Sequence, residues 1–464
     1  MAGKCYILKH TMQRLRSHSF QTICLRTFLS DAYQCDAEWK GRLNNPLLEK
    51  LKNENFYGDL LKKFQTEGKV SPIDVDLFSN LILNEASLDD LEIITNKFRR
   101  CPNTSRALPS TGHSVIRTYL EHRNTETLMR MLDDRLNYGL FLDYYLSNLL
   151  MDYFLKQNNF RDAAKVAIQL MLQEEFDHPI TSQLALFSCH SYLKKPQPEP
   201  WDPQPKPKPE EPVEVVKVRV DYIREPFFDD HFDLTNPNHL VGKTLVGFSK
   251  HLSRESLDST ASTSLLLGWT FYDKHNKIIE VLDKILASKV KLLVFREEFD
   301  MCKKHVEEST ALPEGFLDNF NNRVRQLETE GYLLDGSVQD ALKLRIQDVV
   351  NKHEKGDIEQ QKDQYKKWEL LREEEVKRQT EAIERRQRLA ILEAKKKELE
   401  EKEERLHFFD NVDQWELRSE EKIMQREARE KELQSRSKKV SAKKQRQAEE
   451  DEYYPPEMTS NRRQ

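Results

Sequence analysis

The sequence predicts an all-α protein, an α-solenoid of degenerate helical hairpins followed by a long charged C-terminal helix. Helix starts recur at steps of 34 to 37 residues, from Pro72 to Pro109 to Asp143 and from Leu88 to Thr125 to Arg161. Periods of this length mark arrays in which each hairpin buries its apolar face on its neighbours. Breakers are scarce: only 13 of 464 residues are Gly, none follows Gly356, and no Pro lies between there and Pro455. Charged residues make up 33% of the chain and crowd into its last quarter, where alternating signs at i, i+4 sustain a helix without a core.

The first thirty residues differ from the rest. They hold Lys4, Lys9, Arg14, Arg16 and Arg26, many hydroxyls and no acid before Asp31. Leu8, Met12 and Leu15 give a short helix an apolar stripe. Residues 1–30 thus read as a mitochondrial presequence, with processing near residue 29, and they lack the apolar core of a secretory signal. Removing five positive charges takes the net charge from -5 to -5 - 5 = -10, so the imported chain is acidic.

Residues 31–195 form the repeat region. Pro72 precedes a helix with Leu77, Phe78, Leu81 and Ile82, and Ser87 caps its partner through Leu91, Ile94 and Phe98. Pro109 precedes Val115, Ile116, Tyr119 and Leu120; Asn124-Thr125 opens a second helix with Leu128, Met131, Leu132 and Leu136 inward. The clearest pair follows Asp143. Leu146, Leu149, Leu150, Tyr153 and Phe154 make one face. Asn158-Asn159 makes the break, and Ala163, Ala167, Leu170 and Met171 face inward on the next helix. The run Asn148 to Lys156 followed by Asn158 to Ala163 resembles a pentatricopeptide repeat, and Tyr138 to Asp143 resembles that family's closing turn with Leu142 in place of Pro. Such arrays read one RNA base per repeat; three or four worn repeats are too few for strong sequence reading.

Residues 29–33 with Trp39, then Asn96 to Arg99, then the block from Tyr138 to Phe176, are similar to the family of mitochondrial small-subunit ribosomal protein number 27. The resemblance is good over 29–195 and weaker through 260–290. It implies a mitochondrial matrix protein built into the small ribosomal subunit, with the subunit's ribosomal RNA and other small-subunit proteins as partners and no catalytic activity. The alternative is a free mitochondrial pentatricopeptide-type RNA-binding factor acting on transcripts.

Residues 196–240 read as an insert, since eight of the 18 prolines lie between Pro196 and Pro212 and favour extended polyproline II. Val213 to Val220 reads as a strand or a surface strip. Residues 241–355 resume the array: Leu265, Leu266, Trp269 and Tyr272 on one helix, Ile278, Ile279, Leu282 and Ile285 on the next. Phe316, Phe320, Val324 and Leu327, then Val338, Leu342, Ile346 and Val349, keep the spacing. Residues 356–434 predict a long, mostly solvated helix, favoured over the alternative of a coiled-coil dimer because about one apolar position per heptad falls short of the two a coiled coil needs. Residues 435–464 predict a disordered tail, first basic and then acidic.

Candidate RNA contacts are Arg99 and Arg100, and the acid-free cluster Arg436, Lys438, Lys439, Lys443, Lys444 and Arg446, which suits phosphates. No transmembrane span fits, since the longest run free of Asp, Glu, Lys and Arg, His178 to Leu193, holds Pro, His and hydroxyls. No cofactor, metal or small-molecule site is expected. Val241-Gly242-Lys243-Thr244 lacks the upstream Gly of a phosphate loop, since Pro237 stands there, and Asp357 stands where a zinc-protease motif after His353-Glu354 needs its second His. None of the six cysteines falls in a C-x-x-C pair, and of Cys35, Cys101, Cys189 and Cys302, which lack metal-type spacing, most read as buried small hydrophobes.

Overall fold

The computed structural model describes residues 28–51, 55–197, 231–252, 258–288, 290–309 and 312–451. It has two units, the chain up to Val376 and the chain from Lys377 onward. The expected presequence falls outside the described residues up to 27. Residues 28–30 are part of the folded unit. The Phe28 and Leu29 N–H groups donate to Asp152 Oδ1, and Phe28 meets Phe187 edge to face at 5.1 Å. A boundary at residue 30 is therefore too late for the folded body.

The first unit opens with a 3-10 turn at Asp31–Gln34, then α1 (Asp36–Gly41), α2 (Pro46–Leu51) and α3 (Phe56–Glu67). The array follows as α4 (Pro72–Leu81), α5 (Leu88–Arg99), α6 (Pro109–Glu121), α7 (Thr125–Asp133), the single turn α8 (Arg135–Tyr138), α9 (Tyr144–Lys156), α10 (Phe160–Leu172) and α11 (Pro179–Lys194). Local chemistry explains these limits. Pro occupies the first helical position of α4, α6 and α11, where no amide bond is lost. Asn124, Asp143 and Asn159 accept from amides three residues on, capping α7, α9 and α10. Asn158 takes φ 56, the left-handed break between α9 and α10.

The expected faces of these helices are buried, or half-buried at Leu81, Leu120 and Tyr153, and one residue is exposed. Asp134 caps its own short turn, accepting from the Asn137 amide, and this ends α7 at Asp133. The phase shifts, and Leu136, expected inward, is 85% exposed.

The second block is α12 (Pro237–Leu252), α13 (Ser259–Phe271) and α14 (His275–Ser288), then β1 (Val294–Phe295), α15 (Arg296–Glu308), α16 (Phe316–Glu330) and β2 (Leu333–Leu334). Helix α12 begins at Pro237, inside the expected insert, whose residues 198–230 and candidate strand 213–220 lie outside the described residues. The short parallel pairing of Val294 with Leu333 and Phe295 with Leu334 was not legible as strand. Helices α12 and α13 cross at paired glycines: a Cβ on Gly242 would lie 2.7 Å from the Gly268 carbonyl oxygen, and one on Gly268 would lie 2.8 Å from that of Gly242. The apparent phosphate-loop glycine is thus a helix-packing residue.

Helix α17 runs from Val338 to Asp410 and α18 from Val412 to Asp451. The long helix starts before Gly356, passes through it, and breaks once at Asn411. Its first turns bury Val338, Leu342, Ile346 and Val350, so the stripe ends on Val350, with Val349 half-buried. Residues through 376 are not simply solvated: Gln361, Trp368 and Arg372 are buried. In the second unit Ile383, Leu392, Leu399 and Leu406 are exposed, as one apolar residue per heptad dictates. The segment 435–451, expected to be irregular, is helical, because nothing after Gly356 breaks a helix before Pro455.

Candidate interaction surfaces

Helices α4, α6, α9 and α11, the first members of successive hairpins, pack side by side. Their N-caps are Ser71, Leu108, Asp143 and His178. Five residues past each cap stand Asp76, His113, Asn148 and Gln183, polar side chains at one register on one row. All are buried, with exposures of 0%, 3%, 0% and 2%. Such a row is where a helical-repeat array presents one side chain per repeat to a ligand strand.

Here the chain itself covers the row. Arg372 Nε donates to Asp76 Oδ2 at 2.8 Å, while Ser110 and Thr111 hydroxyls donate to Oδ1 at 2.5 and 2.9 Å. His113 Nε2 lies 3.0 Å from the Tyr365 hydroxyl, and its ring packs on Trp368 at 4.9 Å. Asn148 Nδ2 donates to the Tyr33 hydroxyl at 2.9 Å, which donates to Asp357 at 3.2 Å. The groups on α17 are residues 372, 365 and 357, steps of seven and eight. At 1.5 Å per residue each step advances ~11 Å, close to the ~8–10 Å between packed helices. One segment of α17 therefore meets one hairpin every two turns.

The N-terminal segment closes the same seam. Ser30 N–H donates to Glu354, Asn45 Nδ2 to Glu369 at 2.7 Å, and Lys362 pairs with Glu38 at 2.7 Å. Trp39 lies between α6 and α17, 5.6 Å from His113 and 6.0 Å from Tyr365. Burial disfavours charge on the two rings that meet here: it lowers His113, partly opposed by Asp143, and raises Tyr365 to about 12. The row offers no charged or nucleophilic group to solvent. Periodicity on α4, α6 and α9 locates the apolar stripe, but the polar register becomes visible only beside the N-caps. The partners come from residues 296, 252 and 115 positions away, beyond any local signal.

The sequence-predicted contacts fall elsewhere. Arg99 is half-buried: its Nε donates to the Leu136 carbonyl at 3.3 Å, and its Cδ would lie 2.7 Å from a Cβ on Gly139, which holds φ 64. Arg100 is exposed, and its Nη2 donates to Asn137 Oδ1 at 3.3 Å. This pair ties the end of α5 to α8. In the second unit Arg436, Lys438, Lys439, Lys443, Lys444 and Arg446 are all exposed on α18. Helical phase gathers Arg436, Lys439, Lys443 and Arg446, at i, i+3, i+7 and i+10, on one face and leaves Lys438 and Lys444 off it. Arg436 also pairs with Glu432 at 2.8 Å.

Among the described residues no His, Cys, Asp and Glu group could hold a metal ion, and no helix is long and apolar enough to cross a membrane. Cys35, Cys101, Cys189 and Cys302 are free and buried. A family model, mitochondrial 28S ribosomal protein S27, matches residues 2–398, which takes in the N-terminal segment, the array and part of α17. Helix α18 and its cations lie beyond that match.

Proposed function

Because the chain belongs to the mitochondrial 28S ribosomal protein S27 family, and is thus a component of the mitochondrial small ribosomal subunit in the matrix, we propose that it serves as a non-catalytic scaffold there. It docks on ribosomal RNA and on neighbouring proteins through faces other than the row of first helices. The observation that carries this reading is the closure of that row by α17 and residues 30–45. A transcript-reading factor needs its register side chains open to bases, and Asp76, His113 and Asn148 are engaged within the chain.

With a mature charge near -10, RNA contact is local. The one-sided set Arg436, Lys439, Lys443 and Arg446 suits a run of phosphates, with no aromatic interleaved for stacking. Residues 1–30 include the presequence that brings the chain to the matrix, with the cut upstream of Phe28.

Sedimentation of tagged chain from mitochondrial lysate tests the scaffold reading. Co-migration with the small subunit through a moderate salt wash is expected, and crosslinks should map to small-subunit ribosomal RNA. Migration in light fractions with crosslinks on messenger or precursor transcripts would overturn it. Charge reversal of Lys439 and Lys443 together should lower the salt concentration at which the chain leaves the subunit, and an unchanged release point would remove α18 from the contact.

A further inference from the structure

Beside the closed seam, α1, the turn after it, α6 and α9 enclose a cavity of about 610 Å³. Its charged lining is Lys40, Arg42, Arg117 and Lys156 against Asp36, Glu121 and Asp152. Two of the cations have partners: Arg117 Nη2 pairs with Asp36 at 2.5 Å and Lys156 with Asp152 at 2.8 Å. Lys40 and Arg42 remain, opposed by the exposed carboxylate of Glu121.

Arg42 is held firmly. Its guanidinium lies 3.4 Å from the Trp39 ring centroid, with the Arg117 guanidinium 5.6 Å from the same ring. Nη1 donates to the Trp39 carbonyl at 2.6 Å, while Nε is buried without a hydrogen-bond partner among the described residues. Burial pulls this guanidinium down to about 10, with Glu121 opposing the effect and Arg117 adding to it. A fixed, half-buried cation that lines a cavity, with one donor orphaned by burial, is poorly compensated.

We infer that this cavity is an anion site that takes a phosphodiester group of RNA, with Arg42 as the principal ligand and Lys40 beside it. A single phosphate charge would balance the surplus cation, and guanidinium donors already locked in place lose little freedom on binding. The assignment of the phosphate to RNA rests on the small-subunit reading; the anion site itself does not.

The test uses the full chain, with inorganic pyrophosphate and a transcript of small-subunit ribosomal RNA as separate probes. Pyrophosphate should raise the melting temperature of the unaltered protein, and Arg42→Gln should abolish the rise. Glu121→Gln, at an exposed position, should strengthen it. Arg42→Gln should weaken transcript binding about tenfold, equivalent to ~1.4 kcal/mol, and reduce the salt slope by ~0.7 to 0.9. Circular dichroism checks that the variant is folded, and Arg42→Lys, which keeps the charge, should retain part of the affinity. Equal pyrophosphate responses in the unaltered and Arg42→Gln proteins would overturn the site. A lost pyrophosphate response with unchanged transcript affinity would overturn the phosphodiester assignment and leave a free-anion site. Release of the chain from the small subunit, with the Arg42 response intact, would overturn the scaffold reading alone.

Discussion

Arg372→Met isolates the contact that closes the seam at α4. The side chains of Asp76 and Arg372 are 0% and 5% exposed, and the pair spans 296 residues of chain. Methionine keeps the volume of the arm and deletes the charge, leaving the carboxylate with the Ser110 and Thr111 hydroxyls. At an effective dielectric of ~20 and ~4 Å between charges, the lost attraction is about 4 kcal/mol. Breaking a buried pair from one side typically costs ~3–5 kcal/mol. The expected loss is therefore about 3–4 kcal/mol, a fall of roughly 1.5–2 M in the urea midpoint at a slope near 2 kcal/mol/M. Asp76→Asn with Arg372→Met removes both charges and should recover at least ~2 kcal/mol of the summed single losses, the coupling read from a double-mutant cycle. Fluorescence of Trp368, one turn from Arg372, reports the opening. A loss under ~1 kcal/mol, or strictly additive singles, would refute the claim that this pair fastens α17 to the array.

Two further substitutions separate packing from local propensity. Gly242→Ala places a Cβ 2.7 Å from the backbone of Gly268 and Tyr272 and should cost ~1–3 kcal/mol or more in denaturant. Gly356→Ala, with nothing within 4 Å on the same test, should stabilise by up to ~1 kcal/mol. His190 donates to or accepts from Ser264 Oγ at 2.7 Å, and burial depresses it to about 3. The unfolded chain therefore binds the extra proton below about 6.5, and this contribution to stability, full above that value, is lost as pH falls toward 3. Denaturation curves at pH 7.5 and 5.5 should show it, at ~1.4 kcal/mol per pH unit once below 6.5. His190→Gln should flatten that dependence, and an unchanged slope would place His190 outside the effect.

The helices of the array were legible because their signals are local. Prolines at first positions, Asn and Asp caps and the apolar spacing of α9 all act within a turn or two of the residue that carries them. Leu136 departs from its expected place for the same reason: its spacing continues the α7 stripe, and only the Asp134 cap reveals the break in phase. Composition alone makes the basic segment of α18 look like a tail, although its lack of breakers allows a helix. The cavity around Arg42 left no sequence signal, since Lys40, Arg42, Arg117 and Glu121 are ordinary charges until α1 is set against α6.

By itself, the sequence determined the all-α class, the hairpin period, the charged helical C-terminus and the family resemblance, because periodicity, capping and composition are properties of neighbouring residues. Tertiary structure alone decided which polar residues are spent inside the molecule. Asp76, His113 and Asn148 are plain polar letters on their own helices. They become fastening points only when α17, placed by its packing on the array, sets Arg372 and Tyr365 against them and leaves Asp357 holding Tyr33 over Asn148. Burying such groups is costly unless each finds a partner, and the two-turn spacing along α17 supplies one directly to Asp76 and His113 and, through Tyr33, holds the partner of Asn148.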